Sequence, residues 1–383
     1  MKNRCSSSRA RHSRGVSLIE ILVGLAIALI AALIIFQVFA ASGERVRTTT
    51  SGSDAQVAGT LALYQVERDI RLAGLGFGMV PAAGVEGGVT GCAVAAYNST
   101  LATPVVPNVV LTPVQIIHNA TTPGAPDQIV VMYGDSAYFV TSRAFNGSTA
   151  TSKMLVRRDA FHLGDIVLVT NNGTSAATGV CALVEITGNT NIDGVTVDHV
   201  PSANYTSFYG GARTASMNAA DTTVATAGLA YNLGPTPSRN VWQVTPAGAA
   251  SANMLVWSNT LRSDTLVRVT DGIVNLQAEY GVDTSVTTPP AGTVSSWTSV
   301  APADWTKVLA LRFAVLARSQ QYEKTAVTTV APTWANGAHS FTMFNVDGTT
   351  DSTPGDANDW RHYRYRVYES TVPLRNMIWG AAP

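Results

Sequence analysis

The stretch Gly15 to Ala41, GVSLIEILVGLAIALIAALIIFQVFAA, decides how the rest of the chain is read. From Ile21 to Phe36 sixteen consecutive residues carry no polar side chain, and Leu18, Ile19 and Val38 to Ala41 extend the run. A helix needs roughly 20 residues at about 1.5 Å each to cross a bilayer, so this stretch is long enough. One carboxylate, Glu20, stands at its mouth, where an ionised group costs a few kcal/mol unless it is paired. Five bases, Lys2, Arg4, Arg9, Arg11 and Arg14, precede the run with no acid among them. Such a leader stays on the cytoplasmic side and places the body on the far side of the membrane.

Only 13% of the 383 residues are charged, about half the usual share, while Thr, Ser, Gly, Ala and Val are plentiful. That composition suits a β-rich exported protein better than a cytosolic enzyme. Without the leader, 20 basic residues face 25 acidic ones, and a mildly acidic body gives no electrostatic reason to expect nucleic-acid binding. Of the cysteines Cys5, Cys92 and Cys181, the last two belong to the body in the oxidising compartment. They are expected to form one disulfide, with two buried free thiols as the alternative.

Residues 1–41 admit three readings. A secretory signal would be cut at a small-x-small site, for which Val38-Phe39-Ala40 qualifies; a signal anchor would stay uncleaved. Neither accounts for Glu20. The stretch Arg14-Gly15-Val16-Ser17-Leu18-Ile19-Glu20 resembles the class III signal of type IV pilins and type II secretion pseudopilins, with Val16 where that family usually has Phe. The resemblance implies cleavage between Gly15 and Val16 by a prepilin peptidase and methylation of the new N-terminus. It also implies that the apolar run is retained, and that Glu20 pairs with the α-amine of a neighbouring subunit in a low-dielectric fibre core.

No proline occurs before Pro81, so the helix is free to continue beyond the membrane. Val57, Leu61 and Tyr64 recur at helical spacing, as do Leu63, Val66, Ile70 and Ala73, giving a broad apolar face that Glu67, Arg68, Asp69 and Arg71 interrupt near its end. A helix from Val16 to about Ala73 is expected, stopping at Gly74-Leu75-Gly76-Phe77-Gly78. Thr48 to Ser53 is its weak point, and Ser53 with Gln56 is able to cap a second helix. The glycine run follows a helix, so a dinucleotide-binding reading is disfavoured. From about residue 90, β-like runs appear at Gln128 to Tyr133, Met154 to Arg157, Asp165 to Thr170, Cys181 to Thr187, Val241 to Val244, Met254 to Trp257, Leu266 to Val269 and, most clearly, Lys307 to Arg318. There Leu309, Leu311, Phe313, Val315 and Ala317 fall on one face. Ile273 to Tyr280 reads as a short strand or helix; Ala215 to Gly228 and Val286 to Ser299 read as loops.

Several body segments resemble PilW-type minor pilins. They are Gln65 to Gly74 (QVERDIRLAG), Tyr231 to Gly234, Asp271 to Asp283 (DGIVNLQAEYGVD), Trp305 to Arg318 and Tyr368 to Asn376 (YESTVPLRN). The resemblance implies an α+β chain: leader 1–15, transmembrane half of the helix 16–41, periplasmic half and glycine-rich stop 42–78, and β-rich periplasmic head 79–383. It implies a low-abundance subunit that joins other minor pilins and the major pilin at the inner membrane to prime a pilus and sits at the fibre tip, with a tip adhesin as a further partner. The nearest rival is the J-type minor pseudopilin of type II secretion, which is typically shorter.

The different-class reading is an enzyme anchored by its N-terminus. No H-E-x-x-H, G-x-S-x-G, P-loop or C-x-x-C is present, and His118, His162, His199, His339 and His362 are scattered singly, so no catalytic residue and no cofactor is assigned. Asn345 to Asp351 with Asp356 and Asp359 collects oxygen ligands of the kind Ca²⁺ uses, but the same residues make turns; a solvated loop is the preferred reading and no metal is assigned. Trp360 to Tyr368, WRHYRYRVY, reads as a strand with Tyr363, Tyr365 and Val367 on one face and Arg364 and Arg366 on the other, with nucleic-acid contact as the lesser alternative.

Overall fold

The computed structural model describes residues 17–78, 90–95, 109–119, 121–138, 142–149, 151–171, 180–188, 194–199, 227–246, 252–263, 265–286, 291–349, 356 and 358–378. The chain divides into two compact units, Met1–Ser53 and Asp54–Pro383. The architecture is α+β: helix α1 (Leu18–Ile70) precedes a body of strands, and a short helix α2 (Arg375–Ile378) follows the last of them. Ser53 lies inside α1 and opens no second helix.

With strands numbered in chain order, a seven-stranded sheet runs β1 (Ala93–Ala95), β7 (Val180–Glu185), β6 (Ile166–Asn171), β9 (Gly228–Gly234), β4 (Arg143–Ser148), β5 (Ser152–Leu155) and β8 (Thr196–Asp198). A five-stranded sheet runs β12 (Val267–Asp271), β11 (Met254–Asn259), β10 (Ser238–Val244), β3 (Gln128–Tyr133) and β2 (Val114–Ile117). A four-stranded sheet runs β14 (Ser296–Thr298), β13 (Ile273–Val282), β15 (Val308–Arg318) and β18 (Tyr365–Pro373), and β16 (Thr333–Trp334) pairs with β17 (His339–Ser340).

Alternation explains how these sheets bury both faces. On β6, Ile166 and Leu168 enter one apolar cluster while Val167 and Val169 enter another. On β15, Leu311, Phe313, Val315 and Ala317 face the main core, as the period-two pattern predicts, but Val308 and not Leu309 joins them, because the pairing with β13 shifts register between Gly281 and Val282; Ala314 and Leu316 face a smaller cluster with Trp334 and Phe341. The main core joins the five- and four-stranded sheets through the head portion of α1, whose Ala55, Ala58, Ala62, Val66 and Ile70 are all buried.

That packed face corrects the sequence reading in part. Val66, Ile70 and Ala73 are buried, but Val57, Leu61 and Tyr64 are exposed. The buried side of α1 between 55 and 62 consists of small residues because the sheet comes close: a Cβ at Gly59 would lie 2.1 Å from Tyr368 Cε2. Gly59→Ala therefore sets an overpacking cost of about 1–3 kcal/mol against a helix-propensity gain of about 1 kcal/mol. We expect net destabilisation that Tyr368→Ala relieves; additive effects in the thermal double-mutant cycle would defeat the contact.

The helix ends three residues earlier than predicted. Leu72 N donates to Asp69 O and Ala73 N to Ile70 O, both at 3.0 Å, so the last turn tightens to i→i+3 bonds. Gly74 and Gly76 then take φ values of 79° and 91°, which only glycine adopts without strain. The Asn376 amide of α2 donates to Ala73 O at 2.9 Å, satisfying a carbonyl that the ended helix leaves open.

Two further expectations change. Part of the Val286 to Ser299 stretch read as loop forms β14, whose Trp297 pairs with Gly281 and lies 4.7 Å from the Arg312 guanidinium. The strand expected over Trp360 to Tyr368 begins only at Tyr365, after a 3-10 turn over Trp360–His362 that Asp359 caps by accepting from Arg361 N. The doubtful Ile273 to Tyr280 segment is strand, and most of Ala215 to Gly228 lies outside the described residues.

Candidate functional site

Two features of α1 bear on function, and each belongs to its own unit. In the first unit, Leu18–Phe39 forms 22 residues of helix with mean hydropathy 3.0, long and apolar enough to cross a membrane. Leu18, Ile19, Phe36 and Phe39 are each more than 70% exposed. An uncovered surface of that extent is stable only in lipid or against other apolar helices. Ser17 O accepts from Glu20 N at 3.0 Å and Ile21 N at 3.1 Å, which opens the helix and leaves the Glu20 carboxylate in its first turn, where the helix dipole favours negative charge. Gly15 and Val16 lie outside the described residues, as does Cys5.

In the second unit, Asp69 is buried at the end of α1. Asn240 and Trp242, two apart on β10, point the same way, and Tyr133 on β3 is paired beside them through Ser238. Their donors converge on the carboxylate: Trp242 Nε1 at 2.6 Å, Tyr133 Oη at 2.8 Å and Asn240 Nδ2 at 3.0 Å from each oxygen. Burial pushes the Asp69 carboxyl above its ordinary range, and these donors offset only part of that rise. Burial and the facing carboxylate push Tyr133 up to about 12. By sequence alone Asp69 is one of the charges that interrupt the apolar face near its end. Its place one turn after Val66 and beside Ile70, on the packed side, is the signal that marks it as a buried anchor.

Cys92 and Cys181 are bonded, with Cα atoms 6.1 Å apart. Both are buried, and the bond ties the short parallel pair β1 and β7, in which Val94 opposes Cys181.

The scattered polar residues have structural partners. His118 Nδ1 lies 2.7 Å from Asp127 and Nε2 2.6 Å from Ser299 O. Burial opposes charge on His118, but the carbonyl and carboxylate together raise its pKa. His339 Nε2 lies 3.0 Å from Glu279 Oε1, and Glu279 also holds Arg312. Asp347 accepts from Thr349 N at 3.0 Å and Asp356 from Asn358 N at 2.9 Å, so these oxygens shape turns. Asp351 lies outside the described residues, among which no group of His, Cys, Asp and Glu is placed to hold a metal ion. In the basic-aromatic segment, Tyr365 and Val367 pack on the Trp334 cluster, and Arg364 Nε pairs with Glu323 at 3.0 Å.

Residues 10–36 match the prokaryotic N-terminal methylation motif, and residues 247–376 match the family of type IV Pilus-assembly protein W. No curated protein and no solved structure matches the chain. The motif and the apolar helix are consistent with a type IV pilin-like protein. The match to the PilW model covers the C-terminal part of the body. Pilin-like families are structural proteins.

Proposed function

We propose that the chain is a minor pilin of a type IV pilus that acts by insertion into a fibre and not by catalysis. The observation that carries this reading is the pairing, on one chain, of a methylation motif over 10–36 with a PilW region over 247–376. A prepilin peptidase cuts between Gly15 and Val16, and Val16 becomes the methylated N-terminus. The exposed apolar side chains of Leu18–Phe39 rest first in the inner membrane and then among the helices of other minor pilins and the major pilin. There the subunit primes assembly and stays at or near the fibre tip, the position from which it serves adhesion and twitching. Glu20 pairs with the α-amine of a neighbouring subunit.

Intact-mass analysis of membrane-purified protein tests the processing step. A chain beginning at methylated Val16 supports the reading, whereas one beginning at Ala41 or retaining Met1 overturns it. Gene deletion should remove surface pili and leave secretion of exoproteins normal. Glu20→Ala should spare cleavage but leave the neighbour's amine unpaired, at about 3–5 kcal/mol, or roughly a hundredfold or more in incorporation. Normal incorporation, measured by immunoblot of sheared pili, would defeat the charge pairing.

A further inference from the structure

A cavity of about 300 Å³ lies in the head where the first residue of β3 and the end of β10 meet the start of β13 and the end of β15. That is the small end of ligand pockets, about 300–1,000 Å³, and it admits the end of a chain but not a folded surface. Its rim at Thr122, Thr342 and Gly348 is exposed, so the cavity opens to solvent.

Among the described residues that line it, Arg318 alone is charged. Its guanidinium lies 4.8 Å from the Tyr363 ring centroid and beside the Tyr365 hydroxyl, two neutral groups, and it makes no ion pair with a described residue. The acids around the cavity are engaged elsewhere. Asp127 turns to His118 and to Ala278 N, and Asp347 to Thr349. Asp271, in an adjoining cleft that Arg318 also borders, pairs with Arg268 at 3.2 Å. The Arg318 charge is therefore open to an incoming anion.

Two amides face the same space. Gln128 Nε2 donates to Gln243 Oε1 at 3.0 Å, which leaves Gln128 Oε1 as an acceptor and Gln243 Nε2 as a donor. Both side chains are half-buried, and neither atom is sealed from solvent. An acceptor and a donor held side by side match a peptide group, which offers one N–H and one C=O. Val274, Leu316 and Phe344 supply apolar wall.

These features narrow the ligand. A cation finds no free acid, a phosphate dianion finds a single base, and a neutral molecule leaves that base unused. A carboxylate matches the planar fork of one guanidinium in two parallel bonds. A chain terminus joins such a carboxylate to a peptide group and a side chain. We propose that the cavity captures the carboxyl-terminal end of a polypeptide, its carboxylate on Arg318, its last peptide group on Gln128 and Gln243, and its last side chain against Leu316 and Phe344. Such capture is independent of the assembly role.

The test uses the full chain in lauryldimethylamine oxide micelles. N-acetyl-alanyl-alanine, N-acetyl-alanyl-leucine and N-acetyl-alanyl-phenylalanine, each as the free acid and as its carboxamide, are titrated by calorimetry and saturation-transfer NMR. At least one free acid should saturate with Kd on the order of 1 mM, and its carboxamide should bind at least about tenfold more weakly. Arg318→Ala should weaken the acid at least about tenfold. Gln243→Glu keeps the bond from Gln128 but sets a second anion beside the ligand, and should weaken it about threefold or more. If Arg318→Ala fails to fold, the carboxamides and Gln243→Glu decide. No saturation by any free acid at about 50 mM, equal binding of acid and carboxamide, or full affinity in either variant overturns the proposal. So does saturable binding of phosphate or of the methyl glycoside of N-acetylneuraminic acid in place of every peptide.

Discussion

Replacing Asp69 with alanine is expected to destabilise the head by about 3–5 kcal/mol, lowering its thermal midpoint by roughly 10 °C. The loss comes less from the bonds themselves than from what they leave behind. Trp242 Nε1, Tyr133 Oη and Asn240 Nδ2 all point at this carboxylate, and each buried donor without an acceptor costs about 1–3 kcal/mol. The three share one site, so the costs are not additive. Circular dichroism of the full chain in micelles reads the effect, and an unchanged midpoint would show that the donors find other partners. Asp69→Asn keeps one acceptor oxygen and should cost less.

The same pair of proteins gives a pH dependence with a definite sign. The folded carboxyl titrates above its unfolded value near 3.8, so the folded state binds the proton more readily. As pH falls through the raised folded value toward 3.8, the native protein should gain stability relative to Asp69→Asn. A gap that stays constant or moves the other way would contradict the burial of this charge.

Breaking the Cys92–Cys181 bond is expected to have an effect of similar size. The sequence separation is 89, and the chain-entropy model values such a closure at about 4–5 kcal/mol. The local consequence follows from topology. Strand β1 has only three residues, Ala93–Ala95, paired in parallel to β7 at the edge of its sheet. Gly91 N and Val94 N also donate to Leu111 O and Val109 O, and the Val94 side chain packs in the cluster with Val109 and Leu111. Cys92→Ala with Cys181→Ala should therefore lower the denaturant midpoint and abolish amide-exchange protection at Val94 before that of β6 and β9 is affected. Equal protection in both proteins would mean that packing alone holds the edge.

What was legible beforehand follows from how local each signal is. The membrane-length run, the helix stop at Gly74 and Gly76, and the period-two pattern of β15 are written in neighbouring residues, and the backbone takes them up directly. The span Gln128 to Tyr133 is strand β3 to the residue. β14 was missed because Ser296–Thr298 carries little apolar pattern; what holds it is Trp297, placed across Gly281 and Arg312 from other strands. The basic-aromatic segment was half-legible: its inward face at Tyr365 and Val367 packs as alternation requires, but Asp359 and the turn it caps delay the strand.

The sequence by itself determined that an apolar helix leads a β-rich body, because length and hydropathy act without long-range contacts; that Cys92 and Cys181 are bonded and not free thiols was decided by the fold. Only the tertiary structure decided which side of that helix the head covers. Val57, Leu61 and Tyr64 are more apolar than Ala55, Ala58 and Gly59, yet the small residues are buried and the large ones exposed. The Tyr368 ring leaves no room for a Cβ at Gly59. The same packing turned Asp69 from a charge at the end of an apolar face into the acceptor that joins helix to sheet, since its three donors are brought together by strand pairing from positions 64, 171 and 173 residues away in sequence.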